Sequence, residues 1–288
     1  MRNFLLKCSF PGVIFLSLFL TIEYFAGQER NLYFRKKEIF EKGGFSAHVV
    51  GSSHAFYGIV ANGSSHYNFA WPSQALEEST FLVTETSPSV TNFLTISPFT
   101  FRTSNLLRKE SWRNVYFHRV FRQFTTNKFK DYFFIFAQGG QKSIAMARNG
   151  FNEIGQPKCE VNTGNGQRRV EHSSEVLTAS AIAAAGRHLN NPMDKSLMLK
   201  LEALAIEGQE LQLITTPFHQ AYLDIVEKDA GWLLTKQFCK HLSEEFPNVE
   251  YHDFSNFELP DSCFYDADHL NRTGAEIFSK ILFKYSAE

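Results

Sequence analysis

The chain has 288 residues, of which 43% are hydrophobic and 20% are charged, and its formal net charge is −1. This composition is typical of a globular protein with one large domain or two small ones. A net charge so close to zero argues against nucleic acid as a partner, because binding to phosphates needs a concentrated basic surface. The 30 phenylalanines predict an aromatic-rich core.

The amino-terminal segment 8–22 contains no charged residue. It is short for a membrane helix of about 20 residues, but it becomes long enough if Lys7 and Glu23 reach the two interfaces. We therefore predict that residues 1–27 form an uncleaved membrane anchor, with a cleaved signal peptide and a buried core helix as the second and third interpretations. The first two place residues 28–288 outside the cytoplasmic membrane, in the periplasm or at the cell surface. Basic residues beyond the segment leave its orientation open.

Strand and helix patterns alternate through most of the remaining chain. The predicted strands are 45–50, 66–70, 92–96, 211–215 and 249–254. The predicted helices are one that starts at Trp71-Pro72-Ser73, and 178–185, 197–206, 221–246 and 273–285. This alternation predicts an α/β fold with a parallel sheet and helices on both faces. Residues 100–195 break the rhythm, and we interpret them as an insertion in a single domain of residues 28–288.

The four cysteines, at positions 8, 159, 239 and 263, include no CxxC pair. We therefore expect no zinc site built on them and no cofactor. One disulfide among the last three is compatible with the sequence but is not required.

The first predicted strand runs directly into Gly51-Ser52-Ser53-His54. Ligands of parallel α/β sheets bind beyond the carboxyl ends of the strands, so a tight turn here would present a serine at the site. The plain alternative is a strand-to-helix connection with serine as the helix N-cap. His54 either contacts a substrate or hydrogen-bonds to the turn.

A second cluster, Asp266-Ala267-Asp268-His269, precedes the last predicted helix. A carboxylate three residues from an imidazole can accept its Nδ1–H and leave Nε2 to face a serine. Asp266 is thus a candidate orienting residue and His269 a candidate base. The alternative is that both aspartates are ordinary loop acids. A metal site on this one loop has too few ligands, so no metal is expected.

Together, the serine after the first strand and the D-x-x-H before the last helix resemble the SGNH (GDSL-type) hydrolase superfamily. Gly51-Ser52-Ser53 stands in the place of the family's G-D-S, with Ser52 replacing Asp. The stretches GSSHAFYGI and YNFAWPSQ resemble membrane-anchored SGNH-like proteins of bacterial envelopes. The resemblance covers 45–97 and 196–285. It implies a three-layer, flavodoxin-like α/β fold, with Ser53 as nucleophile, His269 as base and Asp266 as the residue that orients it.

Two family positions have no match in this sequence. The second block, at residues 67–70, lacks the family's glycine, and the segment 215–219 lacks the asparagine of G-x-N-D. The expected oxyanion donors are therefore the backbone N–H groups of Ser53 and His54, with Asn68 as the side-chain donor. His219 either lines the site or is an ordinary loop histidine.

The resemblance implies acyl transfer through a Ser53 acyl-enzyme, with no cofactor. Water as acceptor gives an esterase, and a sugar hydroxyl gives an O-acyltransferase. The expected substrates are acyl esters, and the predicted location in the cell envelope favours esters of carbohydrate. The alternative is a catalytically inactive envelope protein that binds or assembles polysaccharide.

Overall fold

The computed structural model describes residues 32–72, 74–102, 163, 165, 166 and 172–285, together with residues 13, 14 and 17. The chain divides into two compact units. The first comprises residues 1–42 and 110–157, and its described part contains helix α1 (Leu32–Lys42). The second comprises residues 43–109 and 158–288 and carries all of the candidate site residues.

The predicted anchor at residues 1–27 falls outside the described residues, apart from three isolated positions. Within the described ranges, no helix combines the length and the apolar character needed to cross a bilayer. Most of the predicted insertion at 100–195 also lies outside the described residues, since 103–162 are not among them.

The second unit contains five strands that form one sheet: β1 (Ala47–Val50), β2 (His66–Asn68), β3 (Thr91–Thr95), β4 (Leu211–Thr215) and β5 (Val249–Asp253). Every neighbouring pair is parallel, and the order is β2-β1-β3-β4-β5. In the register, Val49 lies opposite Asn68 on one side and Phe93 on the other. The predicted α/β class and parallel sheet are therefore confirmed.

The helices of the second unit up to β5 are α2 (Ser53–Gly58), α3 (Leu76–Thr84), α4 (Ser174–His188), α5 (Lys195–Ile206), α6 (Gln220–Val226) and α7 (Ala230–Glu245). The strand order fixes which of them cover each face of the sheet. The chain leaves β1 toward β2 and then crosses back to β3, β4 and β5, so its direction reverses at β1. Because crossovers between parallel strands are right-handed, α2 covers one face while α3, α5 and α7 cover the other. The packing agrees, since α5 contacts both α3 and α7.

The prediction of one long helix over 221–246 is wrong, because the structure has two helices separated at residues 227–229. Asp229 ends the continuity: its carboxylate accepts the N–H of Trp232 and caps the start of α7. The same carboxylate binds the buried guanidinium of Arg102. A contact with a distant residue thus stabilises a helix start that the local pattern does not reveal.

The start predicted at Trp71-Pro72-Ser73 is also wrong, because α3 begins at Leu76. The N–H of Trp71 donates to the carbonyl of Gly51, so this segment still follows the sheet. Glu78 accepts the N–H of Ala75 at 2.8 Å and closes the first turn of α3.

The last part of the chain carries a small antiparallel hairpin. A 3₁₀ turn (Asp261–Cys263) leads into β6 (Phe264–Asp266), which pairs with β7 (His269–Leu270). Helix α8 (Arg272–Tyr285) follows, and its start is capped by Asn271, which accepts the N–H of Gly274. Asn271 also donates to the carbonyl of Ser262 at 2.6 Å, so the hairpin and the helix are held together.

The buried interior includes Phe56, Tyr67, Phe101, Tyr222, Trp232, Phe264 and Phe278, as the composition predicts. The described residues include two cysteines, Cys239 and Cys263, which are both buried and form no disulfide with each other. Cys159 lies outside the described residues.

Candidate active site

A tight turn between β1 and α2 presents Ser53. Gly51 has φ +133°, and a Cβ there would overlap the side chain of Thr95, so only glycine allows this path. Ser53 is the first residue of α2 and is partly exposed, whereas its neighbours in the turn are buried. Ser52 occupies the N-cap position, but its side chain makes no capping hydrogen bond. The turn therefore projects Ser53 at the carboxyl end of β1, where the strand order reverses.

Three side chains from distant parts of the chain form a hydrogen-bonded line. Nε2 of His269 lies 2.7 Å from Oγ of Ser53, and Nδ1 of His269 lies 2.7 Å from Oδ1 of Asp266. The hairpin register sets Asp266 and His269 opposite each other on β6 and β7. The side chain of His269 is 12% exposed and that of Asp266 is 24% exposed. Ser53 is also partly exposed, so solvent reaches the hydrogen-bonded line at Ser53 and near Asp266.

A fourth group, Asp268, was not recognised from the sequence as part of this line. Its side chain is 1% exposed, and its Oδ1 lies 3.3 Å from Nδ1 of His269. Its Oδ2 lies 3.9 Å from Nε2 of His54, whose side chain is equally buried. The only signal in the sequence is an acid set between Ala267 and His269, and such a pattern does not distinguish a buried carboxylate from an exposed one.

The two carboxylates change the acidity of His269. Burial lowers the pKa of His269, but the charges of Asp268 and Asp266 outweigh burial and raise that pKa to about 9. For Asp268 the two effects have the opposite signs. Burial raises the pKa of this carboxyl, but the neighbouring charge of His269 holds it well below its usual range. These shifts favour the ionised form of the pair, and a protonated His269 has to lose the proton on Nε2 before it can act as a base.

Asn68, the expected side-chain donor to an oxyanion, is engaged elsewhere. Its Nδ2 donates to the carbonyls of Ala55 and Ile59, both at 2.9 Å. Its Oδ1 accepts the N–H of Ala70 at 3.0 Å. Both amide hydrogens hold the end of α2, so the geometry does not support Asn68 as the oxyanion donor.

His219, the other predicted lining residue, also serves a local structure. Its Nδ1 accepts the N–H of Ala221 at 3.2 Å and caps α6. Its Nε2 lies 3.2 Å from Oδ1 of Asp261. Both ring nitrogens are therefore engaged, and the structure assigns His219 to the helix start and not to Ser53.

His54, predicted to contact a substrate or the turn, stacks on His269 with ring centroids 4.6 Å apart and an interplanar angle of 25°. Its Nδ1 lies 3.5 Å from Oγ of Ser52. His54 is 2% exposed, so its ring lies behind His269 and not on the solvent side of the site.

A metal ion has one candidate set of ligands among the described residues: His54, Asp268 and His269, whose nearest ligand atoms all lie within 4.8 Å of one another. Both nitrogens of His269 already face Ser53 and Asp266 at 2.7 Å. A metal would have to replace one of these hydrogen bonds. The arrangement thus fits proton transfer between the serine and the imidazole better than metal binding.

Comparison with known proteins adds no assignment, since no protein-family model and no curated protein matches this chain in sequence. The interpretation of the site therefore rests on its geometry. A hydroxyl, an imidazole and a carboxylate in line form the constellation of serine nucleophiles, which recurs on unrelated folds. Here it lies at the switch point of a parallel sheet, where such folds bind their ligands.

Proposed function

We propose that the protein is a serine-dependent ester hydrolase or O-acyltransferase of the SGNH type. The observation that carries this proposal is the line from Ser53 through His269 to Asp266, with 2.7 Å at each step. The strand order, the serine directly after β1 and the D-x-x-H before the last helix support it, because they follow the pattern of that superfamily.

In the proposed reaction, which starts from neutral His269, Oγ of Ser53 attacks the carbonyl carbon of an acyl ester while Nε2 of His269 accepts the serine proton. Asp266 keeps the remaining proton on Nδ1 and holds the ring in place. His269 then gives the proton to the departing alcohol, which leaves an acyl group on Ser53. Water or a sugar hydroxyl then attacks this acyl-enzyme and gives its proton to His269. The bond between the acyl carbon and Oγ of Ser53 breaks, and His269 returns the proton to Oγ.

The negative charge that develops on the carbonyl oxygen needs hydrogen-bond donors. The backbone N–H groups of Ser53 and His54 are the proposed donors, because they belong to the proposed nucleophile and to the residue that follows it at the start of α2. No step needs a cofactor. The proposed substrates are acyl esters of envelope carbohydrate, which the uncharged segment 8–22 supports, since it is suited to anchor the chain in a membrane.

A fluorophosphonate probe and a chromogenic acetate ester test the proposal. The full chain in detergent is expected to be labelled and to release the chromogenic alcohol, and Ser53→Ala is expected to abolish both. Ser52→Ala is the matched control, because Ser52 is the adjacent hydroxyl and makes no capping bond. Labelling that persists in Ser53→Ala would show that the nucleophile is a different residue.

The two acceptors are separated by repeating the assay with and without a sugar. Release of alcohol without sugar indicates an esterase. Release that depends on the sugar and yields an acylated sugar indicates a transferase.

One observation favours the second candidate function, a catalytically inactive protein that binds or assembles envelope polysaccharide. Both amide hydrogens of Asn68 are engaged, so the described residues offer no identified side-chain donor to an oxyanion. A folded chain without any Ser53-dependent turnover or labelling would refute the enzyme and favour this alternative.

A further inference from the structure

Asp268 places a second carboxylate against the imidazole of His269. The N–H at Nδ1 of His269 is directed at Asp266 at 2.7 Å, yet Oδ1 of Asp268 lies only 3.3 Å from the same nitrogen. Among the described residues, neither oxygen of Asp268 has a hydrogen bond of normal geometry. A buried carboxylate in this position is stabilised chiefly by a nearby positive charge. The nearest groups able to carry one are the two imidazoles.

These imidazoles form a stack that cannot easily rearrange. The ring of His54 lies 4.6 Å from that of His269, and the other surroundings of His54 include Phe99 at 5.2 Å and Phe218 at 5.9 Å. Asp268 approaches a nitrogen of each ring. A displacement of Asp268 would therefore change the surroundings of both rings, including the proposed base.

We infer that Asp268 is a positioning residue of this site: its carboxylate holds His54 and His269 as a stacked pair and keeps His269 protonated in the substrate-free protein. The physical reason is that loss of this proton would leave a buried carboxylate 3.3 Å from a neutral ring. The pKa of His269 is raised in the structure, with Asp268 the largest of the causes that raise it. The inference rests on the proposed function, because it gives a role to the same histidine.

Other titratable groups lie near Asp268 and His269, and their pKa values shift in different directions. Burial lowers the pKa of His188 on α4, and the charge of Asp268 opposes this effect. Burial and the charge of Asp268 both raise the pKa of Tyr222. The charged and titratable groups that surround Asp268 and His269 are Asp266, His54, Tyr57, His188 and Tyr222. Of these groups, Asp266 comes within 4 Å of His269, and His54 comes within 4 Å of Asp268. Arg102 and Arg187 act on His188 and Tyr222.

The direct test is a pH titration of the His269 ring by NMR, on the full chain labelled with ¹⁵N in its histidines. His269→Gln identifies the signal. In the unmodified protein His269 is expected to be protonated at pH 7 and to titrate near pH 9. In Asp268→Asn the midpoint is expected to fall by about one to three pH units, as loss of an adjacent opposite charge does. A neutral His269 at pH 7 overturns the inference without any variant of Asp268.

The matched control is Asp261→Asn, which removes a carboxylate that pairs with His219 instead. This variant is expected to leave the His269 titration unmoved. An Asp268→Asn protein that is folded but titrates like the unmodified chain overturns the inference and leaves Asp268 a purely structural residue.

The kinetic readout is the pH profile of kcat/KM for the chromogenic ester. Asp268→Asn is expected to move the acid limb to lower pH, whereas Asp266→Asn lowers the plateau. The NMR titration uses no substrate, so it separates the two possible failures. A shifted His269 titration without Ser53-dependent turnover supports the inference and refutes the proposed function. Turnover with an unshifted titration and an unmoved acid limb refutes the inference alone.

Discussion

Oγ of Ser53 lies 2.7 Å from Nε2 of His269, although 216 residues separate the two in the chain. The serine follows the central strand β1, and the histidine lies in a hairpin just before the last helix. That helix, α8, packs against α2, which begins with Ser53. The packing of the two helices therefore sets the contact on which the proposed chemistry depends.

Asp266→Asn tests whether the carboxylate orients the base. An asparagine can retain the shape of the side chain, but it does not stabilise the charged imidazole or fix its tautomer. We expect kcat to fall by about 10²–10⁴-fold. The measurement is steady-state hydrolysis of the chromogenic ester, with Asp224→Asn as control because Asp224 is an exposed acid on α6. An unchanged kcat in Asp266→Asn would remove Asp266 from the mechanism.

Asn68→Ala distinguishes a structural role from the predicted oxyanion role. The substitution leaves the carbonyls of Ala55 and Ile59 and the N–H of Ala70 without their present partner. At about 1 kcal/mol per lost hydrogen bond, the free energy of unfolding is expected to fall by about 2–4 kcal/mol.

Urea denaturation measures the effect of Asn68→Ala. Asn190→Ala is the control, since Asn190 is exposed and makes one side-chain bond to the carbonyl of Gly186. It is expected to change stability by no more than about 0.5 kcal/mol. Full stability of Asn68→Ala together with a large fall in kcat would restore Asn68 as the oxyanion donor.

Gly51→Ala tests the turn that presents Ser53. A Cβ at position 51 would overlap Thr95, and φ is +133°, so we expect a loss of more than about 2 kcal/mol in unfolding free energy and weaker labelling of Ser53. Gly186→Ala is the matched control, because Gly186 lies in α4 with no atom within 4 Å of an added Cβ. It is expected to stabilise the protein by up to about 1 kcal/mol. Equal effects of the two variants would contradict the strained turn.

His48 predicts a loss of stability in acid. It is a buried residue of β1, 5% exposed, and burial lowers its pKa to about 4. Because the folded pKa lies below the unfolded value of about 6.5, the unfolded chain binds the proton first, and stability falls as pH drops from about 6.5 toward 4.

The contribution of His48 to this loss is about 2–3 kcal/mol between pH 7 and pH 4.5. Urea denaturation at the two pH values is expected to show a correspondingly smaller loss in His48→Gln than in the unmodified chain. Equal losses in both proteins would mean that His48 is protonated in the folded state at pH 4.5.

The local pattern of the chain was sufficient for the sheet and for the position of the serine turn. Runs such as Val49-Val50 and the LQLIT at 211–215 are apolar because parallel strands are covered on both faces, and this is visible in a short window. The glycine before two serines marks a turn for the same local reason. The helix break at residues 227–229 was not visible, because Asp229 depends on Arg102, which is 127 residues away.

The sequence by itself determined the α/β class, the five strands and the candidate serine, histidine and aspartate, because apolar runs and turn residues act over a few positions. Only the tertiary structure decided what the polar side chains near them do. Asn68 and His219 are engaged in helix ends, and Asp268 and His54 are buried beside His269. The physical reason is that the hydrogen bonds and burial of a polar side chain depend on residues brought near it by folding, whatever its neighbours in the chain.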